Sequence, residues 1–169
     1  MPEFLLVDGY NIINAWDDLK KMMAADLAHA RAKLIDILGN YQAVRGVRVI
    51  VVFDAHLVRG GAGSRENEAG VDVIYTTEGE TADMLIEKLV GQFGENDRVT
   101  VATSDWTQQR FVFGKGAVRL SARELAQEIM SVWTEAQRHL GDSRNHDRTL
   151  REHLDDRVKA ILEKIRRQR

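Results

Sequence analysis

The chain has 169 residues, 44% of them hydrophobic, which suits one domain with a single core. It has no cysteine, which excludes disulfides and thiolate metal sites and favours a cytoplasmic location. No apolar stretch reaches the ~18 residues of a membrane span, and the N-terminus lacks the pattern of a secretory signal. We therefore expect no membrane partner.

The net charge of −2 is spread unevenly along the chain. The segment from Arg138 to Arg169 carries ten Lys and Arg against six Asp and Glu, whereas the remainder carries fourteen against twenty. An acidic body with a basic end suits a cation site plus contact with a polyanion, although a solvated helix explains the basic end equally well. We expect a domain at 1–140 and a basic amphipathic helical tail at 141–169.

The first part of the chain predicts a strand followed by a crossover helix. The apolar run Phe4–Val7 leads directly into Asp8, which is the pattern of a buried strand ending at a turn. Residues 12–23 are interpreted as a connecting segment. Apolar residues at steps of three and four predict a helix over Asp26–Val44, and the glycines within 39–46 bracket its end.

The middle of the chain predicts two further strands and a second helix. Val47–Phe53 is rich in β-branched residues and is followed at once by Asp54. Arg59–Gly70 is interpreted as a flexible polar loop, either a cover for substrate or an ordinary connection. Val71–Thr76 is a third strand, and Thr81 caps an amphipathic helix.

The last part of the chain repeats the arrangement of strands and helices. Val99–Ala102 is a strand that leads to Asp105, and Val118–Leu120 is a short fifth strand. The Ser-x-x-Glu pattern of Ser121–Glu124 is a capping box that opens another helix. Strands alternating with helices predict an α/β fold with a mainly parallel sheet covered by helices on both faces.

Four aspartates occupy related positions in this pattern. Asp8, Asp54 and Asp105 follow strands, and Asp83 lies in the first turn of a helix beside the sheet. Ligands bind beyond the carboxyl ends of strands in open α/β sheets, so we expect the four to converge at one edge. Each aspartate alone has a second interpretation, as a turn or cap residue. The repeated placement favours a shared site.

Such a cluster is suited to a divalent cation. Neighbouring carboxylates repel one another, and a bound cation keeps them ionised. Mg²⁺ and Mn²⁺ take oxygen ligands and retain open positions for water and phosphate. An ion held in this way polarises a phosphate and lowers the pKa of its bound water, which is the requirement for phosphodiester hydrolysis.

Polar and basic residues beside the aspartates are further candidates. Asn11 and Ser104 flank two of them and either bind water or phosphate at the site or cap a neighbouring helix. Three arginines are candidates for RNA phosphates, which a guanidinium binds through two hydrogen bonds, or are ordinary surface residues: Arg59, Arg65 and Arg110.

Four segments together resemble the NYN domain, most closely its bacterial YacP-like branch within the PIN-like nuclease superfamily. The similarity runs in order from Glu3 to Ile129 and rests on DGYNIIN at 8–14, VVFDAH at 51–56, TTEGETADMLIEKL at 76–89 and VATSDW at 101–106. The resemblance implies a three-layer α/β/α PIN-like fold and metal-dependent cleavage of RNA. It also implies action on messenger RNA at the ribosome.

The resemblance further assigns roles to residues of this chain. It implies that the acidic site is formed by Asp8, Asp54, Asp83 and Asp105. It adds Asn11 as a neighbouring polar member and Glu80 as an outer ligand.

Two function classes follow from these observations. The leading hypothesis is an endoribonuclease that uses Mg²⁺ or Mn²⁺, and the alternative is a non-catalytic RNA- or ribosome-binding module. A small-molecule phosphohydrolase is disfavoured because Asp8-Gly9-Tyr10 does not provide the two aspartates of a DxD motif after the first strand. A nicotinamide-binding protein is disfavoured because no GxGxxG follows any strand.

Overall fold

The structure is a computed structural model that describes residues 2–55, 63–104 and 116–140, without the side chains of residues 139 and 140. Within these ranges six strands form one sheet: β1 (Glu3–Asp8), β2 (Arg48–Phe53), β3 (Ser64–Glu68), β4 (Val71–Tyr75), β5 (Arg98–Ala102) and β6 (Val118–Leu120). The same ranges contain five helices: α1 (Gly9–Ala15), α2 (Asp17–Ala25), α3 (Leu27–Arg45), α4 (Ala82–Gln92) and α5 (Ala122–Leu140).

The sheet has the strand order β3-β4-β2-β1-β5-β6, which places β1 between β2 and β5. Every neighbouring pair is parallel except β3 with β4. The crossover helix α3 returns the chain from β1 to β2, as parallel pairing requires. The predicted α/β fold with a mainly parallel sheet is confirmed.

The two faces of the sheet carry separate hydrophobic clusters, because successive residues of a strand point to opposite faces. In β1, Leu5 and Val7 belong to the cluster formed with α1, α2, α3 and α5. Leu6 belongs to the other cluster, where it lies with Val52 of β2 and Ile86 of α4. The result is the three-layer architecture that the resemblance implied.

The interpretation of residues 12–23 as a connecting segment is wrong, because this part of the chain forms α1 and most of α2. Ile12, Ile13 and Trp16 are almost completely buried, and the Trp16 indole donates to the carbonyl of Ala122 at 2.9 Å. The break at Trp16 divides the segment into two short helices. Neither is long enough to show a clear helical period in the sequence.

The interpretation of Arg59–Gly70 as a loop is also wrong in part. Residues 59–62 lie outside the described residues, but Ser64–Glu68 forms the edge strand β3, antiparallel to β4. All five residues of β3 are exposed, so the strand lacks the alternation of apolar and polar residues that would reveal it. A turn at Ala69 and Gly70, both with positive φ, joins the two strands.

The two glycine positions near the end of α3 have different roles. The helix ends at Gly46, which has the left-handed φ of 76° typical of a helix C-terminus. Gly39 lies inside the helix and is buried. A Cβ atom there would stand 2.7 Å from the Ala69 carbonyl oxygen, so this position permits a close approach of the turn between β3 and β4.

Both predicted helix caps are confirmed. The Thr81 hydroxyl accepts from the Met84 amide at 3.2 Å and opens α4. At the start of α5 the Ser121 hydroxyl accepts from the Glu124 amide at 3.1 Å, and the Glu124 carboxylate accepts from the Ser121 amide at 3.3 Å.

The predicted tail at 141–169 lies outside the described residues. Among the helices that the structure describes, none combines the length and apolar character needed to cross a membrane.

Candidate active site

Asp8 is the last residue of β1, at the carboxyl edge of the central strand. It stands opposite Val52 of β2, and the preceding residue Val7 pairs with Ala102 of β5. Asp8 is two residues after Leu6, and residues two apart in a strand point to the same face of the sheet. Because Leu6 packs on the side of α4, the Asp8 side chain points to that side too. Asp8 is only 8% exposed, so this carboxylate is held in a nearly buried position.

Asp54 follows β2, and its backbone is fixed by Thr76. The Thr76 amide donates to the Phe53 carbonyl at 3.0 Å, and the Thr76 hydroxyl accepts from the Ala55 amide at 2.9 Å. Both peptides that flank Asp54 are therefore tied to one fully buried residue. The sequence interpretation treated Thr76 only as the end of a strand and missed this function.

Asp83 lies in the first turn of α4, at the same carboxyl edge. The helix is anchored there by Ala82, which is buried in the cluster that contains Leu6 and Val52. The Asp83 carboxylate is half-buried, and the amide-rich start of the helix favours its negative charge.

The structure therefore places three predicted acids at one edge of the sheet, while Asp105 lies outside the described residues, as do Arg59 and Arg110. Within residues 2–55, 63–104 and 116–140, no three His, Asp or Glu side chains are grouped closely enough to hold a metal ion. The described site consists of two acids on neighbouring strands, Asp8 and Asp54, with Asp83 on the helix that covers them.

Asn11 and Ser104 make structural hydrogen bonds. The Asn11 carbonyl oxygen Oδ1 accepts from the Ser104 amide at 2.7 Å, and the Ser104 hydroxyl accepts from the Ala122 amide at 3.3 Å. This chain of contacts ties α1 to the end of β5 and to the first turn of α5. Ser104 thus caps the start of α5, as one of its two predicted roles required, whereas Asn11 binds the end of β5 and caps no helix in these contacts. Binding of water or phosphate by either residue stays a prediction.

Glu80 and Arg65 each have a partner of opposite charge. Glu80 accepts from the Lys88 ammonium at 2.7 Å on the exposed side of α4. The Arg65 guanidinium lies 3.7 Å from the Asp72 carboxylate, which Arg48 also contacts at 2.9 Å. Arg65 keeps 63% of its side chain exposed, so it remains accessible to a ligand.

A second group beside Asp54 was not found from the sequence. The Arg31 guanidinium donates to the Tyr10 hydroxyl at 3.1 Å, and its charge also acts on the Tyr75 hydroxyl. The pKa of both tyrosines lies above its usual value, mainly because the hydroxyls are buried. The positive charge of Arg31 opposes this rise, and the negative charge of Asp54 adds to it at Tyr10. Arg31 lay on the polar side of a predicted helix and gave no signal in the sequence.

The two tyrosine rings are positioned by Phe53, the residue before Asp54. The Tyr10 and Phe53 ring centroids are 5.0 Å apart, and those of Phe53 and Tyr75 are 5.7 Å apart in a stacked arrangement. The close approach requires Gly9, because a Cβ atom at Gly9 would stand 2.3 Å from the Phe53 ring. The glycine in the DGYN segment is therefore a packing requirement.

Comparison with known proteins decides the family. The sequence model of the YacP-like NYN domain matches residues 5–167. The chain belongs to the YacP-like NYN domain family. The resemblance inferred from the four sequence segments is thus confirmed, and the family match extends beyond them in the C-terminal direction.

Relatives of this YacP-like NYN protein match along nearly their whole length. The uncharacterized protein YacP of Bacillus subtilis (strain 168) is 43% identical over 166 residues, covering 98% of this chain and 97% of that protein. The crystal structure of Rae1 (YacP) from Bacillus subtilis has a TM-score of 0.72 at 43% identity, covering 97% of this chain and 94% of that one. A mutant form of Rae1 has a TM-score of 0.68 at 40% identity, with coverage of 98% and 96%.

Proposed function

We propose that this YacP-like NYN protein is a metal-dependent endoribonuclease that hydrolyses RNA phosphodiesters. The observation that carries the proposal is the placement of Asp8 and Asp54 at the ends of two adjacent parallel strands, at the edge where the first turn of α4 carries Asp83. Family membership supports a nuclease-like function related to RNA.

The donor set fits a hard divalent cation. The predicted ligands are all carboxylates, and the chain contains no cysteine. Asp8 and Asp54 would hold Mg²⁺ or Mn²⁺, with Asp83 and Asp105 completing the acidic surroundings. Mg²⁺ in proteins is often held by one or two carboxylates plus waters and substrate phosphates, so this proposal requires no more than two carboxylates from the protein. A bound ion would polarise the phosphate and lower the pKa of the attacking water.

The remaining task of the protein is to hold these groups in place. Asp8 is fixed in the central strand and nearly excluded from water. Asp54 is fixed by the two Thr76 hydrogen bonds on either side of it. Rigid carboxylates on strand ends meet the geometric tolerance of a catalytic site better than carboxylates on free loops.

We further propose single-stranded RNA, and messenger RNA at the ribosome in particular, as the substrate in the cytoplasm. The support is the basic composition of Arg138–Arg169, which suits contact with a polyanion. Arg59, Arg65 and Arg110 are further proposed contacts for RNA phosphates.

The deciding experiment measures cleavage of a long single-stranded RNA with Mg²⁺ or Mn²⁺ against EDTA. Wild type is compared with Asp8→Asn and Asp83→Asn, which remove a negative charge with little change of shape. The matched control is Asp17→Asn, an exposed aspartate in the first turn of α2. We expect cleavage by wild type and Asp17→Asn only, and only with metal.

If wild type leaves naked RNA intact, the same comparison is made on translating ribosomes. Cleavage by Asp8→Asn at the wild-type rate, or no cleavage on either substrate, refutes the nuclease proposal. RNA or ribosome binding that persists after loss of Asp8, Asp54 and Asp83, in a protein that never cleaves, supports the non-catalytic binding module instead. The basic composition of Arg138–Arg169 is the observation that favours this second candidate.

A further inference from the structure

Arg31 lies at the same edge of the sheet as the acids. It is in the second turn of α3, which begins at Leu27 on the side where β1 ends. Its hydrogen-bond partner Tyr10 and the nearby Tyr75 are packed against the ring of Phe53, and Phe53 directly precedes Asp54. We refer to these three residues as the Tyr10–Arg31–Tyr75 cluster.

Arg31 takes no part in the close ion pairs among the residues that the structure describes. Within the described residues, the ion pairs of 4.0 Å or less involve other cations: Arg45, Arg48, Arg65, Lys88 and Arg98. The hydrogen-bond partner of Arg31 among the described residues is the neutral Tyr10 hydroxyl. A partly buried guanidinium with such a partner keeps its positive charge and has further N–H donors for a ligand.

The two hydroxyls add further donors. The Tyr10 oxygen accepts a hydrogen bond from Arg31, which leaves its own O–H proton available for an acceptor. The Tyr75 hydroxyl, on which the charge of Arg31 also acts, is a second O–H donor. Burial is the largest contribution to the raised pKa of Tyr10 and of Tyr75, so both groups stay protonated at neutral pH. The cluster therefore presents a planar cation between two hydroxyl donors, and a phosphate with its several acceptor oxygens is the matching ligand.

The surroundings of the cluster are acidic. The charges of Asp54, Glu66 and Glu68 act on the two hydroxyls. A polyanion that approaches this edge is repelled by those carboxylates, and Arg31 supplies a compensating positive charge beside them. A phosphate contact here would anchor the strand next to the acids rather than at the reacting bond.

We propose that the Tyr10–Arg31–Tyr75 cluster is a binding subsite for a backbone phosphate of RNA, next to the phosphate that is cleaved. The inference rests on the proposed nuclease function, which it deepens by naming how the strand is held. Arg31 is the charged contact, the Tyr10 hydroxyl fixes its orientation, and both tyrosine hydroxyls donate to the same phosphate.

The test measures equilibrium binding of a single-stranded RNA oligonucleotide in EDTA, where no cleavage occurs, over a range of salt concentrations. Arg31→Gln is compared with Arg98→Gln, an equal loss of charge at a residue 70% exposed and paired with Glu3 at the opposite edge of the sheet. One lost phosphate contact lowers the slope of log affinity against log salt by about 0.7 for single strands. We expect Arg31→Gln to show this smaller salt slope and about tenfold weaker binding, and we expect Arg98→Gln to show neither.

Two further variants separate binding from folding. Arg31→Lys keeps the charge but loses the planar fork, so the salt slope should stay at the wild-type value while affinity falls. Tyr75→Phe keeps the guanidinium and loses one donor, so affinity should fall without a change of slope. If Arg31→Gln does not fold, these two variants decide the inference by themselves.

The outcomes distinguish this inference from the proposed function. Unchanged affinity and slope in Arg31→Gln, or equal losses in Arg98→Gln, overturn the inference even if the wild type cleaves RNA. A loss of thermal stability in Arg31→Gln without a loss of affinity means that Arg31 only balances the acids around it. Wild type that binds no RNA, and that cleaves neither naked RNA nor messenger RNA on translating ribosomes, refutes both proposals together.

Discussion

Replacing Thr76 by valine tests whether one buried hydroxyl holds the Asp54 segment. Valine has nearly the shape of threonine, but it cannot accept the hydrogen bond from the Ala55 amide, which is 2.9 Å long and buried. The amide would then be left without a partner in the interior, at a cost of about 2 kcal/mol. For a chain of this size that corresponds to a fall in melting temperature of about 6 °C.

The assay is urea unfolding followed by circular dichroism, together with thermal melting. Thr76→Ser keeps the oxygen and loses a methyl group, so it should lose only about 1 kcal/mol. The control is Thr134→Val, where an exposed hydroxyl donates to the Met130 carbonyl at 2.9 Å, with an expected change within about 0.5 kcal/mol. A loss in Thr76→Val no greater than that in Thr134→Val would refute the reasoning.

The same variant connects stability with the proposed activity. Loss of the Thr76 hydroxyl releases one of the two peptides beside Asp54, so its carboxylate is held less precisely. Under the nuclease proposal we expect Thr76→Val to cleave RNA at least about tenfold more slowly, at a temperature where it is fully folded. Thr76→Ser should stay near the wild-type rate, which separates the hydrogen bond from the packing of the methyl group.

Two further predictions concern packing and pH. Gly9→Ala forces the Phe53 ring to move and should destabilise the fold by about 1–3 kcal/mol in urea unfolding, whereas Gly91→Ala, in open space on α4, should stabilise it by up to about 1 kcal/mol. Burial raises the pKa of Asp72, but hydrogen bonds led by Arg48 outweigh this and leave the pKa below its usual value. The stability from Asp72 is therefore present above about pH 4 and lost as pH falls through its folded pKa. Asp72→Asn should lower the free energy of unfolding by about 1 kcal/mol at pH 7 and leave it unchanged in strong acid. An equal loss at both pH values would contradict this.

Much of the fold could be predicted from local patterns. The strands ending at Asp8 and Asp54 are continuous apolar runs, which is how strands covered on both faces read. The cap at Thr81 and the capping box at Ser121–Glu124 depend only on residues three positions apart, so the sequence contains the whole interaction.

The elements that were missed depend on distant contacts. The strand β3 is exposed along its whole length and exists because it pairs with β4. Gly39 resembles a helix end in sequence, and only the approach of Ala69 from another element explains it.

The candidate site divides in the same way. The positions of the acids follow from strand ends, because parallel strands share an edge. The contacts that hold the site could not be predicted in this way, because they join distant parts of the sequence. Asn11 bonds to Ser104 across 93 positions, and Arg31 bonds to Tyr10 across 21. Which residues form hydrogen bonds at such separations depends on how the helices and strands pack together.

The central position of β1 has a consequence for when the acidic edge is formed. The first strand to be synthesised is flanked by β5, and Arg98 bonds to Glu3 across 95 positions of sequence. Parallel pairings between such distant segments form late and slowly, because the entropic cost of closing a long loop precedes the stabilising contacts between the strands. A chain that has been translated only as far as β4 has Asp8 and the neighbouring strand β2 but lacks β5 on the other side. The edge that carries Asp8 is therefore complete only after Ala102 has been made.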